Sequence, residues 1–154
     1  MTTEERIRKQ KELIEQIGIF FDKEGLQPIA GRILGLLMVM DKEQFSFDEI
    51  IEELQISKSS ASNALKNLEL RGNVEYVTIP GDRKRYFRIR RQNTLHLIEE
   101  FEENIKKAKD LFSYIIELKA NKESQNSLYF GELNNVIDFT LELIEDAKRK
   151  FSKG

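Results

Sequence analysis

The chain has 154 residues and a mass of 18.1 kDa, enough for one domain, or for one compact domain with a helical appendage. Apolar residues make up 40%, sufficient for a core, and a charged fraction of 34% points to solvated helices. With no Cys and a single His, His96, the sequence excludes disulfides, thiol catalysis and multi-His or Cys-ligated metal centres.

The net charge of −2 conceals an asymmetry. Between Ser57 and Arg91 nine Lys or Arg stand against three acids, so the rest of the chain carries the acidic excess. A basic third inside an acidic protein implies a polyanionic partner. The longest apolar run, Ile33 to Met40, is far shorter than a membrane span, and the start MTTEERIRKQ is too charged for a secretory signal. The expectation is a reduced, cytoplasmic protein with no membrane contact, no metal and no cofactor.

From about Glu4 to Glu24, Ile7, Ile14, Ile17 and Phe21 recur with a helical period, and Gly25 ends that helix. Pro28 opens the next helix at a first-turn position, where its missing N–H costs nothing. IAGRILGLLMVM is apolar nearly all round and reads as the central buried helix. Gly31 and Gly35 share one face of it and permit a neighbouring helix to come close, while Arg32 is expected to snorkel or to pair with an acid.

FSFDEIIEEL opens with a capping box, Ser46 as N-cap and Glu49 three residues later, with Phe45 and Ile50 as a hydrophobic staple. That short helix runs to about Leu54. After a tight turn at QIS, Ser57 caps a second helix, SKSSASNALKNLELRG, which Gly72 closes. Two short helices joined by a few residues, the second one basic, form the helix-turn-helix pattern. NVEYVTIPGDRKRYFRIRRQN then reads as a β-hairpin, with Pro80-Gly81 at the centre of a type II turn. In its second strand Phe87 and Ile89 can face the core.

From Thr94 to about Lys119 the positions Ile98, Phe101, Ile105, Ala108, Phe112 and Ile115 follow a heptad seam. A polar stretch, KANKESQNS, reads as a linker. A last helix from about Gly131 repeats the spacing through Leu133, Ile137, Thr140, Ile144, Ala147 and Phe151. The expected fold class is mainly α with a small β-hairpin wing: a winged helix-turn-helix flanked by N- and C-terminal dimerisation helices. Residues 1–92 would form the N-terminal helix plus the winged helix-turn-helix, and 93–154 a helical dimerisation arm.

On a wheel of the second short helix, Ala61, Ala64, Leu65 and Leu68 cluster on the side that must pack inward. The opposite side carries Ser59, Ser62, Asn63, Lys66 and Asn67, short hydrogen-bonding side chains and one cation with no acid among them. Such a surface can touch base edges and phosphates in a major groove without repelling either. Asn63 can bond an adenine edge bidentately, Ser59 and Ser62 suit phosphates, and Lys66 suits phosphate or guanine. Arg83, Lys84 and Arg85 at the hairpin tip suit a backbone or minor-groove contact. Helix and basic hairpin follow one another in the order a winged helix requires, which points to double-stranded DNA as the partner.

The blocks EGLQPIAGRILGLL, FSFDEIIEELQISKSSASNALKNLELRGNVEYV and PGDRKRYFRI resemble the GbsR-type branch of the MarR-like winged-helix transcriptional regulators. The resemblance covers roughly residues 10 to 118, and the two C-terminal helices fit by pattern. It implies a homodimer with intertwined N- and C-terminal helices, reading an inverted-repeat operator in successive major grooves. It also implies a repressor that releases DNA on binding a small molecule. The family's recognition-helix positions fall on Ser59, Ser60, Ser62, Asn63 and Lys66, and its wing positions on Arg83, Lys84 and Arg85; Ser57, Lys58 and Asn67 are further DNA-binding candidates of the same helix. Many family members carry Arg where this sequence has Asn63.

The heptad residues Ile98, Phe101, Ile105, Phe112, Ile115, Ile137 and Ile144 are the expected dimer interface. Phe20, Phe21, Phe101 and Phe112 are candidates for an effector pocket, with plain dimer core as the competing role. An alternative function is a protein-interaction adaptor that uses the winged helix as a scaffold and recruits a partner through the heptad helices. The cations from Arg83 to Arg91 argue against it. Catalysis finds no support: acidic pairs such as Glu102-Glu103 face Lys106-Lys107 one turn on, and no carboxylate sits in an apolar setting suited to acid–base work.

Overall fold

The computed structural model of the chain describes residues 1–152. Met1–Arg91 forms one compact unit, and a second begins at Gln92.

The first unit contains α1 (Thr3–Lys23), α2 (Pro28–Val39), β1 (Phe45–Ser46), α3 (Phe47–Leu54), α4 (Lys58–Leu70), β2 (Val74–Val77) and β3 (Tyr86–Ile89). α1 starts with a capping box of Thr2 and Glu5, which satisfies two of the end groups a helix leaves open. It stops at Gly25, whose φ of +82° suits glycine, while the Leu26 N–H donates back to the Phe21 carbonyl. Pro28 is the first residue of α2, as the sequence predicts.

α2 is the centre of the core, with Ala30, Ile33, Leu34, Leu36 and Leu37 buried. Its Gly31 and Gly35 lie against the backbone of α1 at Gly18 and Ile14. The expected close approach is therefore real. α3 has the capping box read from the sequence, Ser46 with Glu49, and both staple residues, Phe45 and Ile50, are buried.

The sheet has one strand more than the hairpin expected from the sequence. β1 pairs antiparallel with β3, giving the order β1-β3-β2 with Phe45 opposite Phe87. A two-residue strand carries no alternation to read, and Phe45 already has a role as a staple residue.

In the second unit α5 (Thr94–Leu118) and α6 (Gln125–Phe151) pack against each other. α6 begins at Gln125, six residues before the expected start near Gly131. The Ser124 hydroxyl accepts the Ser127 N–H, so the polar QNS segment is the capped first turn of a helix rather than linker.

The heptad residues divide between the two sides of this hairpin. Ile144 is buried, while Ile98, Ile105, Phe112, Ile115 and Ile137 are half-buried, and Phe112 meets Phe130 of α6 with ring centroids 5.2 Å apart. Phe101 is exposed, as are Leu111, Tyr114, Val136, Phe139 and Leu143. Much of the seam thus joins α5 to α6 within one chain. A second apolar stripe remains uncovered.

A buried carboxylate fastens the two helices. Glu102 accepts from Lys106 on its own helix and from Lys148 on α6, each at 2.8 Å. Those two bonds, Lys106 first, hold its pKa down to about 2 from the ordinary carboxylate value of 4.5. Because the folded value lies below the unfolded one, the stabilisation is present above about pH 4.5 and is lost as pH falls towards 2. Acid titration of helicity should show this loss in the wild-type chain. Glu102→Gln should remove that component of the acid transition and lower stability at neutral pH.

Candidate nucleic-acid interface

The turn between α3 and α4 is set by three residues. Gln55 takes a left-handed conformation, with φ 53°, and caps α3. Arg32 of α2 donates from Nη2 to the Leu54 carbonyl at 3.3 Å, satisfying an end group of α3, while its Nε donates to Glu15 of α1 at 2.9 Å. The Ser57 hydroxyl then accepts the Ser60 N–H and starts α4. α4 closes at Gly72, φ +74°, with the Asn73 N–H returning to the Leu68 carbonyl.

Ala61, Ala64, Leu65 and Leu68 of α4 are buried, which fixes the opposite face outward. Lys58, Ser59, Ser62, Asn63 and Lys66 are exposed, as is Ser57 at the cap. Ser60 is half-buried, its hydroxyl accepting from Ser57 at 2.8 Å. Asn67 departs from the outward reading. It flanks the Ala64–Leu68 stripe and is half-buried, its Oδ1 enclosed without a hydrogen-bond partner.

The wing tip is a type II turn, with Gly81 at φ +81° and the Asp82 N–H donating to the Ile79 carbonyl at 3.0 Å. Asp82 organises the residues after it. Its carboxylate accepts the Lys84 N–H at 2.8 Å and the Tyr86 hydroxyl at 2.7 Å, which hold its pKa below the usual Asp range. The same bond raises the Tyr86 pKa, since the phenol donates to a charged acceptor. The Arg85 guanidinium lies 4.9 Å from the centre of the Phe47 ring, and the Phe47 N–H donates to the Arg85 carbonyl. Arg83 and Lys84 are exposed at the tip.

Two of the nine cations of the basic third are paired within the chain. Arg88 pairs with Glu75 opposite it on β2, and Arg91 pairs with Glu43 at 3.0 Å. Among the described residues, Lys58, Lys66, Arg83, Lys84 and Arg85 have no carboxylate in ion-pair range. Arg88 and Arg91 are thus neutralised within the chain, while the cations of α4 and the wing tip, with Arg71 and Arg90, are left for an external anion. Sequence reasoning missed Phe47 as a platform for Arg85, and Asp82 and Tyr86 as the lock on the tip. Only the Asp-x-Lys spacing of a turn could have signalled the second.

The four phenylalanines proposed as a pocket have separate surroundings. Phe20 is exposed and meets Phe21 edge-on at 5.2 Å, with Phe21 packed on the core of the first unit. Phe101 lines a groove between α5 and α6 with Thr140 and Leu143, while Phe112 meets Phe130. Eleven positions separate them on α5, about 16 Å at the helical rise.

A capped helix-turn-helix, a three-stranded sheet and a locked basic wing, in this order, make a winged helix. Residues 24–85 match the MarR family. The MarR-like segment spans both helices of the helix-turn-helix, α2 before them, and the wing as far as Arg85. Over 142 residues the chain is 28% identical to the HTH-type transcriptional regulator MmpR5 of Mycobacterium tuberculosis (strain ATCC 25618 / H37Rv), covering 92% of this chain and 86% of that protein. A crystal structure described as that of a transcriptional regulator superposes with a TM-score of 0.68 at 27% identity, covering 95% of this chain and 99% of that one. These MarR-like relatives are regulators, a non-enzymatic class, which sets the catalytic reading aside. Among the described residues no helix is long and apolar enough to cross a membrane.

Proposed function

We propose that the protein is a homodimeric, DNA-binding transcriptional regulator of the GbsR-type branch of the MarR-like proteins, acting as a repressor in the cytoplasm. Residues 57–71 enter the major groove, and the wing, residues 80–86, lies on the backbone or in the minor groove. The observation that carries this reading is the division of the cations. Arg88 and Arg91 are paired internally, whereas Lys58, Lys66 and the wing-tip residues have no carboxylate partner among the described residues. A solvated basic strand would need no such division; a phosphate-facing surface does.

Residues 1–92 then serve as the DNA-binding domain and 93–154 as the dimerisation arm. In a dimer Phe101 and the exposed stripe of Leu111, Tyr114, Val136, Phe139 and Leu143 lie against the second copy, with Ile98, Ile105, Phe112, Ile115, Ile137 and Ile144 behind them. Two winged helices related by a two-fold axis read an inverted repeat with half-sites about 10 base pairs apart. The names of the relatives and the resemblance of the sequence support regulation. The resemblance alone supports repression.

Fluorescence anisotropy against the upstream DNA of the gene and a scrambled duplex tests the reading. If Lys66, Arg83, Lys84 and Arg85 each neutralise one phosphate per subunit, log K should fall with log salt with a slope of about −7. Binding of the upstream duplex should survive physiological salt while the scrambled duplex is released. A slope near zero, or no binding to either duplex at low salt, refutes the reading and moves attention to the helical arm as a recruiter of proteins.

A further inference from the structure

From Thr78 to Tyr86 the wing carries one acid, Asp82, directly before Arg83, Lys84 and Arg85. On a surface that faces phosphates a carboxylate is a liability. At about 6 Å in water, a unit charge beside a phosphate lowers affinity about threefold. Asp82 must therefore do something that offsets its repulsion.

Both of its oxygens are used within the chain. Oδ1 accepts the Lys84 N–H at 2.8 Å, and Oδ2 accepts the Tyr86 hydroxyl at 2.7 Å. Tyr86 is itself fixed, because it opens β3 and stands between Ser46 of β1 and Val77 of β2. The β2–β3 ladder ends at that pair, so residues 78–85 lie outside it. Asp82 ties this loop back to the sheet. Arg85 is held separately, its carbonyl by the Phe47 N–H and its guanidinium over the Phe47 ring. The backbone that carries Arg83 and Lys84 is thus fastened on both sides, while their side chains project into solvent.

Fixed direction matters to one kind of binding only. Contact with an arbitrary duplex counts cations, since each phosphate neutralised releases a counterion wherever it lies. Recognition of one groove shape needs the cations at particular places. We propose that Asp82 is a positioning residue for specificity: its charge lowers affinity for every duplex, while its bridge to Lys84 and Tyr86 aims the wing tip at the operator. This role rests on the DNA-binding reading above; the bridge itself does not.

Anisotropy of the full chain against the upstream and scrambled duplexes tests the proposal with Asp82→Ala and Tyr86→Phe. Asp82→Ala should bind the upstream duplex about tenfold more weakly, although it sheds a negative charge. The same variant should bind the scrambled duplex about two- to fivefold more tightly at low salt. Tyr86→Phe, which leaves the charge unchanged, should weaken the upstream duplex about threefold and leave the scrambled duplex as it was. If Asp82→Ala tightens both duplexes alike, Asp82 is only a charge; if it weakens both alike, Asp82 only supports the fold. Either result overturns the proposal, as does wild-type affinity of Tyr86→Phe for the upstream duplex. A readout without DNA is the titration of the Tyr86 ring followed by ¹³C NMR. Its pKa is raised by the bond to Asp82 and should fall in Asp82→Ala. A Tyr86 titration that Asp82→Ala leaves in place overturns the bridge whatever the chain does with DNA. Should that titration fall as expected while the wild-type chain binds neither duplex, the DNA reading fails, and the role in specificity fails with it.

Discussion

Replacing both Arg83 and Lys84 by Ala is expected to weaken DNA binding about a hundred- to a thousandfold at physiological salt and to reduce the salt slope from about −7 to about −4. A dimer that loses two phosphate contacts per subunit releases four fewer counterions on binding, and that deficit appears in the slope whatever the operator sequence. Both side chains are exposed and, among the described residues, unpaired, so the melting temperature should stay where it is. The decisive comparison is Arg88→Ala with Arg91→Ala, which removes the same formal charge from the same hairpin. Those two guanidiniums already face Glu75 and Glu43, and their loss should change the slope by less than about one unit. Anisotropy across a salt series reads both doubles. Equal losses would mean that only the total charge of the hairpin matters, and the division of its cations would have no functional content.

Much of this arrangement was legible in the sequence because it is local. The capping box of Ser46 and Glu49, the Ser57 cap, Pro28 at a helix start and Gly81 in a type II turn are each decided within four residues. The outward face of α4 followed from its inward stripe, except at Asn67, which lies on the boundary where a wheel drawn at 100° per residue does not separate in from out.

The features that escaped the sequence are non-local. β1 exists only because β3 runs past Phe45, and Arg91 finds Glu43 across almost fifty positions of chain. The Phe47 ring supports Arg85 because the same approach of strands sets α3 beside the wing. The heptad spacing of α5 and α6 stated that their seams needed a partner without stating which. Pairing within one chain and pairing between two copies use the same pattern, and the Glu102–Lys148 bond could be assigned only once α6 was seen folded back along α5.

Gly31→Val and Gly35→Val are each expected to destabilise the protein by about 2–3 kcal/mol, the cost of forcing side-chain bulk into a closed contact. A Cβ on Gly31 would stand 3.0 Å from the Gly18 carbonyl oxygen and 3.1 Å from its Cα, and one on Gly35 would meet the same two atoms of Ile14 at the same distances. The obstacle is backbone, which no rotamer can move aside, so α1 itself must shift. Gly131→Ala in α6 supplies the opposite case, since a Cβ there meets nothing within 4 Å. Removing a glycine from a helix interior without a clash should stabilise by about 0.5–1 kcal/mol. Thermal and denaturant unfolding of the three variants distinguishes a close-approach requirement from a general tolerance of these helices for glycine. The consequence reaches the DNA surface, because a displaced α1 carries Glu15 away from Arg32, and Arg32 secures the end of α3 where the recognition helix begins. Among folded molecules Gly35→Val should therefore bind DNA more weakly than wild type, although position 35 lies in α2 and touches α1 rather than the wing or α4. Unchanged affinity in that variant would show that the α3–α4 turn keeps its geometry without the Glu15–Arg32 bridge.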